Sequence, residues 1–114
     1  MNELKIQKEL RKFAEERDWK QFHTLKNLAI SISLESSELL EIFQWEKDEN
    51  NLLKKEEKLK KINEEFADIM LYLLRFADLA ELDIEQLCYD KIKSNKKKYP
   101  IDLSRGISKK YTEL

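Results

Sequence analysis

A single glycine and a single proline in 114 residues constrain the fold of this chain more than any other feature. Tight turns between strands depend on these two residues, whereas long helices need few of them. Charged residues make up 39% of the sequence, which is typical of helices with solvent-facing sides. The composition therefore predicts an all-α fold, and the length predicts one domain over residues 1–114.

Apolar residues recur at helical spacing in four segments, which predicts a four-helix bundle-like fold. The predicted helices cover about residues 2–16, 25–45, 55–80 and 84–98. Thr24 is predicted to cap the second helix, and Asp83 with Gln86 to form a capping box before the fourth. Residues 46–54 are predicted to be a connection, and residues 101–114, which show no period, an extended tail.

Charge and cysteine content limit the partners and the compartment. The net charge of −1 gives no electrostatic case for nucleic acid or an anionic membrane as a partner. No apolar run reaches membrane-spanning length. Cys88 is the only cysteine, so an internal disulfide is excluded and a reducing cytoplasm is expected. Because Cys88 lies among apolar residues of the fourth helix, it is predicted to be buried and unreactive.

Two acidic doublets at helical spacing point to the chemistry: Glu35 with Glu38, and Glu65 with Asp68. Glu35 and Glu65 fall within the apolar stripes of their helices, where an unpaired carboxylate is costly, so a positive group must face them. Two such helices side by side would gather four carboxylates, whose oxygens suit Mg²⁺ where a substrate carries phosphates. Lysine salt bridges are the alternative. A ferritin-like di-iron site would need Glu-x-x-His pairs, which the only histidine, His23, does not supply.

Aromatic residues form the second part of a candidate site. Trp19, Phe22 and His23 precede the second helix, Trp45 lies near its end, and Tyr72 shares a helical face with the second acidic doublet. Aromatic rings can stack on a nucleobase, and a tyrosine hydroxyl can donate to a sugar or phosphate. The alternative is that the rings only close the end of the bundle, with His23 capping a backbone group.

The acidic pattern and three further segments resemble the all-α nucleoside triphosphate pyrophosphatases of the MazG-like superfamily, and among them the dCTP pyrophosphatase branch. The segments are Phe13–His23 (FAEERDWKQFH), Glu35–Trp45 (ESSELLEIFQW) and the ending KKYTEL at 109–114. The likeness extends from about Leu4 to the C-terminus.

The resemblance implies Mg²⁺-dependent hydrolysis of a nucleoside triphosphate, dCTP or a modified dCTP, to the monophosphate and pyrophosphate. It also implies that Glu35, Glu38, Glu65 and Asp68 are the Mg²⁺ ligands. Glu35 and Glu38 are both candidates to take the proton of the attacking water. A pyrophosphatase of broad specificity and a non-catalytic helical interaction protein are the alternative functions.

The resemblance further implies which residues contact the nucleotide. Those expected at the base and sugar are Trp19, Lys20, Gln21, Phe22, His23, Trp45 and Tyr72; those expected near the phosphates are Lys91 and Asn95. The chain departs from the family pattern at Leu10, where dCTP-directed members have a polar pocket residue, and at Leu25, which replaces a proline. Members of the family associate as homodimers or as homotetramers (dimers of dimers), so the same is expected here.

Overall fold

The computed structural model describes residues 1–114 and contains helices but no strand, which confirms the all-α prediction. The chain divides into two compact units, Met1–Glu81 and Leu82–Leu114. None of the helices combines the length and the apolar character that crossing a membrane requires.

The first unit consists of four helices, of which three pack against the longest. These are α1 (Glu3–Glu16), α2 (Leu25–Phe43), α3 (Glu49–Leu53) and α4 (Glu56–Leu79). Helix α4 packs most extensively against α2, and also against α1 and α3. The buried apolar side chains are few: Ala14, Leu28, Leu52, Leu74 and Ala77. Each buried leucine contributes about 1.5–3 kcal/mol by leaving water, so this small core holds α2 and α4 in a fixed register.

Helix α1 ends in a Schellman motif that contains no glycine. The backbone N–H of Trp19 donates to the carbonyl of Ala14, and the N–H of Asp18 donates to the carbonyl of Glu15, at 2.9 and 3.2 Å. Asp18 adopts a φ of +53°, the left-handed conformation that such a helix end requires. The motif reverses the chain and turns Trp19 back toward the end of α1, where its ring packs on Phe13.

The start of α2 is as predicted from the sequence, whereas the segment that follows α2 differs from the prediction. The Thr24 hydroxyl accepts a hydrogen bond from the N–H of Asn27 at 3.1 Å, which confirms the predicted cap. Residues 46–54, predicted to be only a connection, contain the short helix α3. The Asp48 carboxylate caps its first turn, and Leu52 anchors it with only 1% of its surface exposed.

The second unit contains α5 (Ile84–Lys98), α6 (Ile101–Ser104) and a 3₁₀ turn at Tyr111–Glu113. Asp83 accepts from the N–H of Gln86 at 3.1 Å. The Gln86 side chain donates to Asp90 instead of returning to Asp83, so only half of the predicted capping box forms. The predicted extended tail is wrong at both ends, because α6 and the 3₁₀ turn are helical, and the Tyr111 ring packs on Tyr99.

Cys88 is exposed, so the prediction that it is buried is wrong. Its neighbour Leu87 is also half exposed. The apolar residues of α5 predicted a covered face, but helical spacing shows only which residues share a face and not whether another element covers it.

Candidate functional site

Three glutamates from the two most closely packed helices meet at one point. Glu35 and Glu38 come from α2 and Glu65 comes from α4; one carboxylate oxygen of each lies within 4.8 Å of the others. Glu35 and Glu65 are partly buried and Glu38 is exposed. The Oε2 atoms of Glu35 and Glu65 are buried without a hydrogen-bond partner. We refer to these three residues as the glutamate cluster.

The glutamate cluster holds more negative charge than the chain itself compensates. The pKa of Glu35 is raised to about 7, first by burial and then by the neighbouring carboxyl groups of Glu65, Glu38 and Asp68. Burial likewise raises the pKa of Glu65. The ion pairs of the chain involve other carboxylates, so lysine salt bridges do not neutralise the cluster.

The donor set fits a hard divalent cation. All the available ligand atoms are carboxylate oxygens, which Mg²⁺ and Ca²⁺ prefer. A cation would also satisfy the two buried oxygens that have no partner. The glutamate cluster can therefore hold a metal ion.

Asp68, the fourth predicted ligand, lies outside the glutamate cluster. Its side chain is exposed and lines a neighbouring pocket. Its charge contributes to the raised pKa of Glu35, so the two carboxylates lie within electrostatic range of each other. Its role as a metal ligand stays a prediction.

A pocket of about 240 Å³ lies beside the cluster and has aromatic and apolar walls; we call it the aromatic pocket. It is lined by Leu10, Phe13, Trp19, His23, Asp68, Leu71, Tyr72 and Arg75. The Trp19 ring contacts Phe13 and His23 edge to face, with centroids 5.6 and 6.4 Å apart. The volume falls below the ~300–1,000 Å³ typical of drug-sized ligand sites, so the aromatic pocket has room for a ring and not for a whole nucleotide.

A network of charges lies behind the aromatic pocket, and we call it the arginine network. Arg75 donates from Nε to His23 Nδ1 at 3.2 Å, and its Nη1 lies 3.5 Å from Asp78. Arg11 of α1 holds the same Asp78 with two nitrogens, Nε donating at 2.6 Å. Hydrogen bonding to Arg11 lowers the pKa of Asp78, while burial and the Arg75 charge lower that of His23.

No sequence pattern predicted a role for Arg75 or Asp78. The available signal was the position of Arg75 between Leu74 and Phe76, in the most apolar part of α4. A charge there has to be paired.

Four of the predicted nucleotide contacts lie away from the aromatic pocket. Lys20 forms an ion pair with Glu15 at 3.0 Å. Gln21 donates to the backbone and side chain of Asp18. Phe22 is 59% exposed, and Trp45, just beyond the end of α2, is 86% exposed. The structure therefore gathers Trp19, His23 and Tyr72 but not these four.

Lys91 and Asn95 belong to α5 of the second unit. They are four residues apart on one helix, so they share a face, and both are exposed. Their predicted place near the phosphates stays a prediction.

A second cavity adjoins the glutamate cluster on α2 and α4 and has a volume of about 410 Å³. Glu38 and Glu65 line it together with Lys58 and Lys61. These lysines supply positive charge at the margin of the cluster, and the cavity offers space for a ligand larger than a ring.

The chain is similar to several known proteins. Residues 30–114 match the model of the MazG-like family. Proteins named dCTP pyrophosphatase 1 are similar: that of Bos taurus is 40% identical over 105 residues, and that of Homo sapiens 37% over 106. The alignments cover 90% of this chain but only 62% and 61% of those proteins, so the chain spans about three fifths of their length.

A solved structure is also similar. The crystal structure of a pyrophosphatase from Archaeoglobus fulgidus superimposes with a TM-score of 0.74 and 42% sequence identity. The match covers 80% of this chain and 85% of that one. It therefore supports both the helical architecture and the family relationship.

Proposed function

Because the chain belongs to the MazG-like family, we propose that it is a Mg²⁺-dependent nucleoside triphosphate pyrophosphatase. The proposed substrate is dCTP or a modified dCTP, which is cleaved to the monophosphate and pyrophosphate. The observation that carries the proposal is the glutamate cluster, with two buried oxygens that lack a partner, and its link through Asp68 to the aromatic pocket.

In this proposal Glu35, Glu38 and Glu65 hold the metal, with Asp68 as a fourth ligand. A divalent cation held by these residues would supply charge neutralisation and Lewis-acid polarisation at the phosphates. Glu35 or Glu38 accepts the proton of the attacking water; both have oxygens in the cluster, so both are candidates.

The aromatic pocket binds the base. Trp19 offers a stacking face and Tyr72 a hydroxyl, and Leu10 makes one wall apolar. Further nucleotide contacts are proposed for the remaining predicted residues: Lys20, Gln21, Phe22, Trp45, Lys91 and Asn95. The lining of the aromatic pocket does not by itself select cytosine among the bases. The support for cytosine is the name of the relatives, dCTP pyrophosphatase 1.

We also propose that the protein is a homodimer or a homotetramer. Leu34, Leu40 and Phe66 of the first unit are each about 60% or more exposed. A second copy of the chain that packed against these side chains would remove their apolar surface from water, which favours association.

The test is pyrophosphate release from a panel of ribo- and deoxynucleoside triphosphates, with and without Mg²⁺. We expect the highest kcat/KM with dCTP and no release after chelation of the metal. Equal rates for all bases would replace the proposal with a pyrophosphatase of broad specificity. No release from any triphosphate would favour a non-catalytic interaction protein.

A further inference from the structure

We propose that Arg75 is a positioning residue that holds His23 as the tautomer with its proton on Nε2, and so makes His23 a hydrogen-bond donor to the base. The identity of the ligand rests on the proposed function. The tautomer is a property of the chain alone.

The tautomer follows from the chemistry of the contact. An arginine guanidinium donates hydrogen bonds and cannot accept them. Arg75 Nε lies 3.2 Å from His23 Nδ1, so Nδ1 has to be the unprotonated, accepting nitrogen. In a neutral imidazole the proton is then on Nε2. A doubly protonated His23 would lose this bond and would place a second positive charge against Arg75.

Arg75 is itself held in place, which is why it can impose this choice. Only 4% of its surface is exposed, so the guanidinium cannot turn into solvent. Asp78, one turn further along α4, balances its charge from 3.5 Å, and Arg11 fixes Asp78 from the other side. A planar guanidinium bound in this way presents its Nε–H in one direction.

The consequence for the ligand is a hydrogen-bond donor in the aromatic pocket, which Tyr72 and Asp68 also line. Because Arg75 occupies Nδ1, Nε2 is the ring nitrogen of His23 that is left for a ligand, and the Leu10, Phe13 and Leu71 side chains of the same pocket carry no polar atoms. A donor recognises an acceptor, which on a nucleobase is a carbonyl oxygen or an unprotonated ring nitrogen. A pyrimidine such as cytosine carries both.

The decisive measurement is the ¹⁵N NMR spectrum of His23, which needs no residue assignment because the chain has one histidine. Long-range ¹H–¹⁵N correlations show which ring nitrogen carries the proton. We expect Nε2–H in the wild type, and a loss of that preference in Arg75→Met. Arg11→Met is the matched control, since it removes a guanidinium from Asp78 without touching His23, and we expect it to keep the wild-type tautomer.

Two results would overturn the inference at this stage. One is a wild-type His23 protonated on Nδ1 or present as a mixture, which decides the matter even if Arg75→Met does not fold. The other is a folded Arg75→Met with an unchanged tautomer.

The role of His23 as a hydrogen-bond donor to the base is tested by two further measurements. In the wild type, dCMP should shift the Nε2 resonance. In Arg75→Met the KM for dCTP should rise about tenfold, the value of one hydrogen bond, with a smaller change in kcat. An active wild-type enzyme whose Nε2 resonance ignores dCMP would refute the donor role. A wild type that releases no pyrophosphate would refute the proposed function while the tautomer result stands.

Discussion

Helix α4 carries two charged regions that are built in opposite ways. Near Glu65, the carboxylates of the glutamate cluster crowd together, two of their oxygens are buried without partners, and no cationic side chain pairs with them. Near Arg75, each buried charge meets an opposite charge or a neutral acceptor within the chain.

The difference separates a binding region from a supporting one. A proton or a cation from solution can compensate the charge of the glutamate cluster, so the stability of the cluster depends on what the solution contains. The arginine network is complete without a ligand, so it depends on the sequence alone. Substitutions in the glutamate cluster should therefore change activity and ligand-induced stability, whereas substitutions in the arginine network should change the stability of the ligand-free protein.

The largest effect is expected from Glu38→Gln, which removes a charge from the cluster but keeps its shape. We expect pyrophosphate release to fall at least about 100-fold, the upper end of the loss seen even for groups that only support a metal ligand. The fold should survive, because Glu38 is exposed. The measurement is kcat/KM with Mg²⁺ and dCTP, beside circular dichroism. Glu9→Gln, an exposed carboxylate on α1, serves as the control; activity within a few-fold of wild type in Glu38→Gln would contradict the assignment.

The next largest effect is expected on the rise in melting temperature that a bound ligand causes. Mg²⁺ with a non-hydrolysable triphosphate should raise the melting temperature, since a ligand at 100 times its dissociation constant adds about 2.7 kcal/mol. Glu35→Gln combined with Glu65→Gln should abolish the rise. Asp78→Asn should retain it, although its starting temperature is lower. A rise that persists in the double variant would mean that the cation binds elsewhere.

A smaller effect is expected from Asp78→Asn in the absence of any ligand. The substitution leaves the buried Arg75 guanidinium without its carboxylate, and an unpaired buried group costs about 1–3 kcal/mol. Urea unfolding should show this loss in the free energy of unfolding. Arg11→Met should lower the free energy of unfolding by less, because the Arg11 side chain is half exposed and the ion pair between Asp78 and Arg75 remains. Equal losses would show that the two arginines act as one unit.

The smallest expected effect is the pH dependence of the difference in unfolding free energy between the wild type and Asp78→Asn. The pKa of Asp78 is depressed below its ordinary 3.8, mainly by hydrogen bonding to Arg11. A depressed pKa in the folded state stabilises the protein fully above 3.8, and the contribution is lost as pH falls through the folded-state pKa. Urea unfolding at several pH values should therefore show the gap between wild type and Asp78→Asn closing in acid. A gap that stays constant through the acid range would rule out this linkage.

The sequence predicted the long helices because their apolar stripes match the α-helical period, and it predicted that Glu35 and Glu65 lie on core-facing sides. Helix α3 was missed because a helix of five residues is too short to show a period, and it depends on the Asp48 cap and on Leu52 in the core.

The arginine network could not be predicted in the same way. Arg75 and Asp78 are three residues apart on α4, a spacing that equally describes a surface ion pair of little energetic value. Arg11 joins them from α1, and a contact between residues 67 positions apart leaves no local pattern in the sequence. The partners of His23 are therefore visible only in three dimensions.

The left-handed conformation of Asp18 has a consequence for the rigidity of the aromatic pocket. Glycine at this position would relieve the strain of a positive φ, but it would also give the chain between α1 and α2 more freedom in the unfolded state and in the turn itself. The backbone of an aspartate has fewer accessible conformations than that of a glycine. The next residue is Trp19, which forms one wall of the aromatic pocket. The turn thus accepts a small backbone strain and places a stacking surface, packed on Phe13 and His23, before a ligand binds.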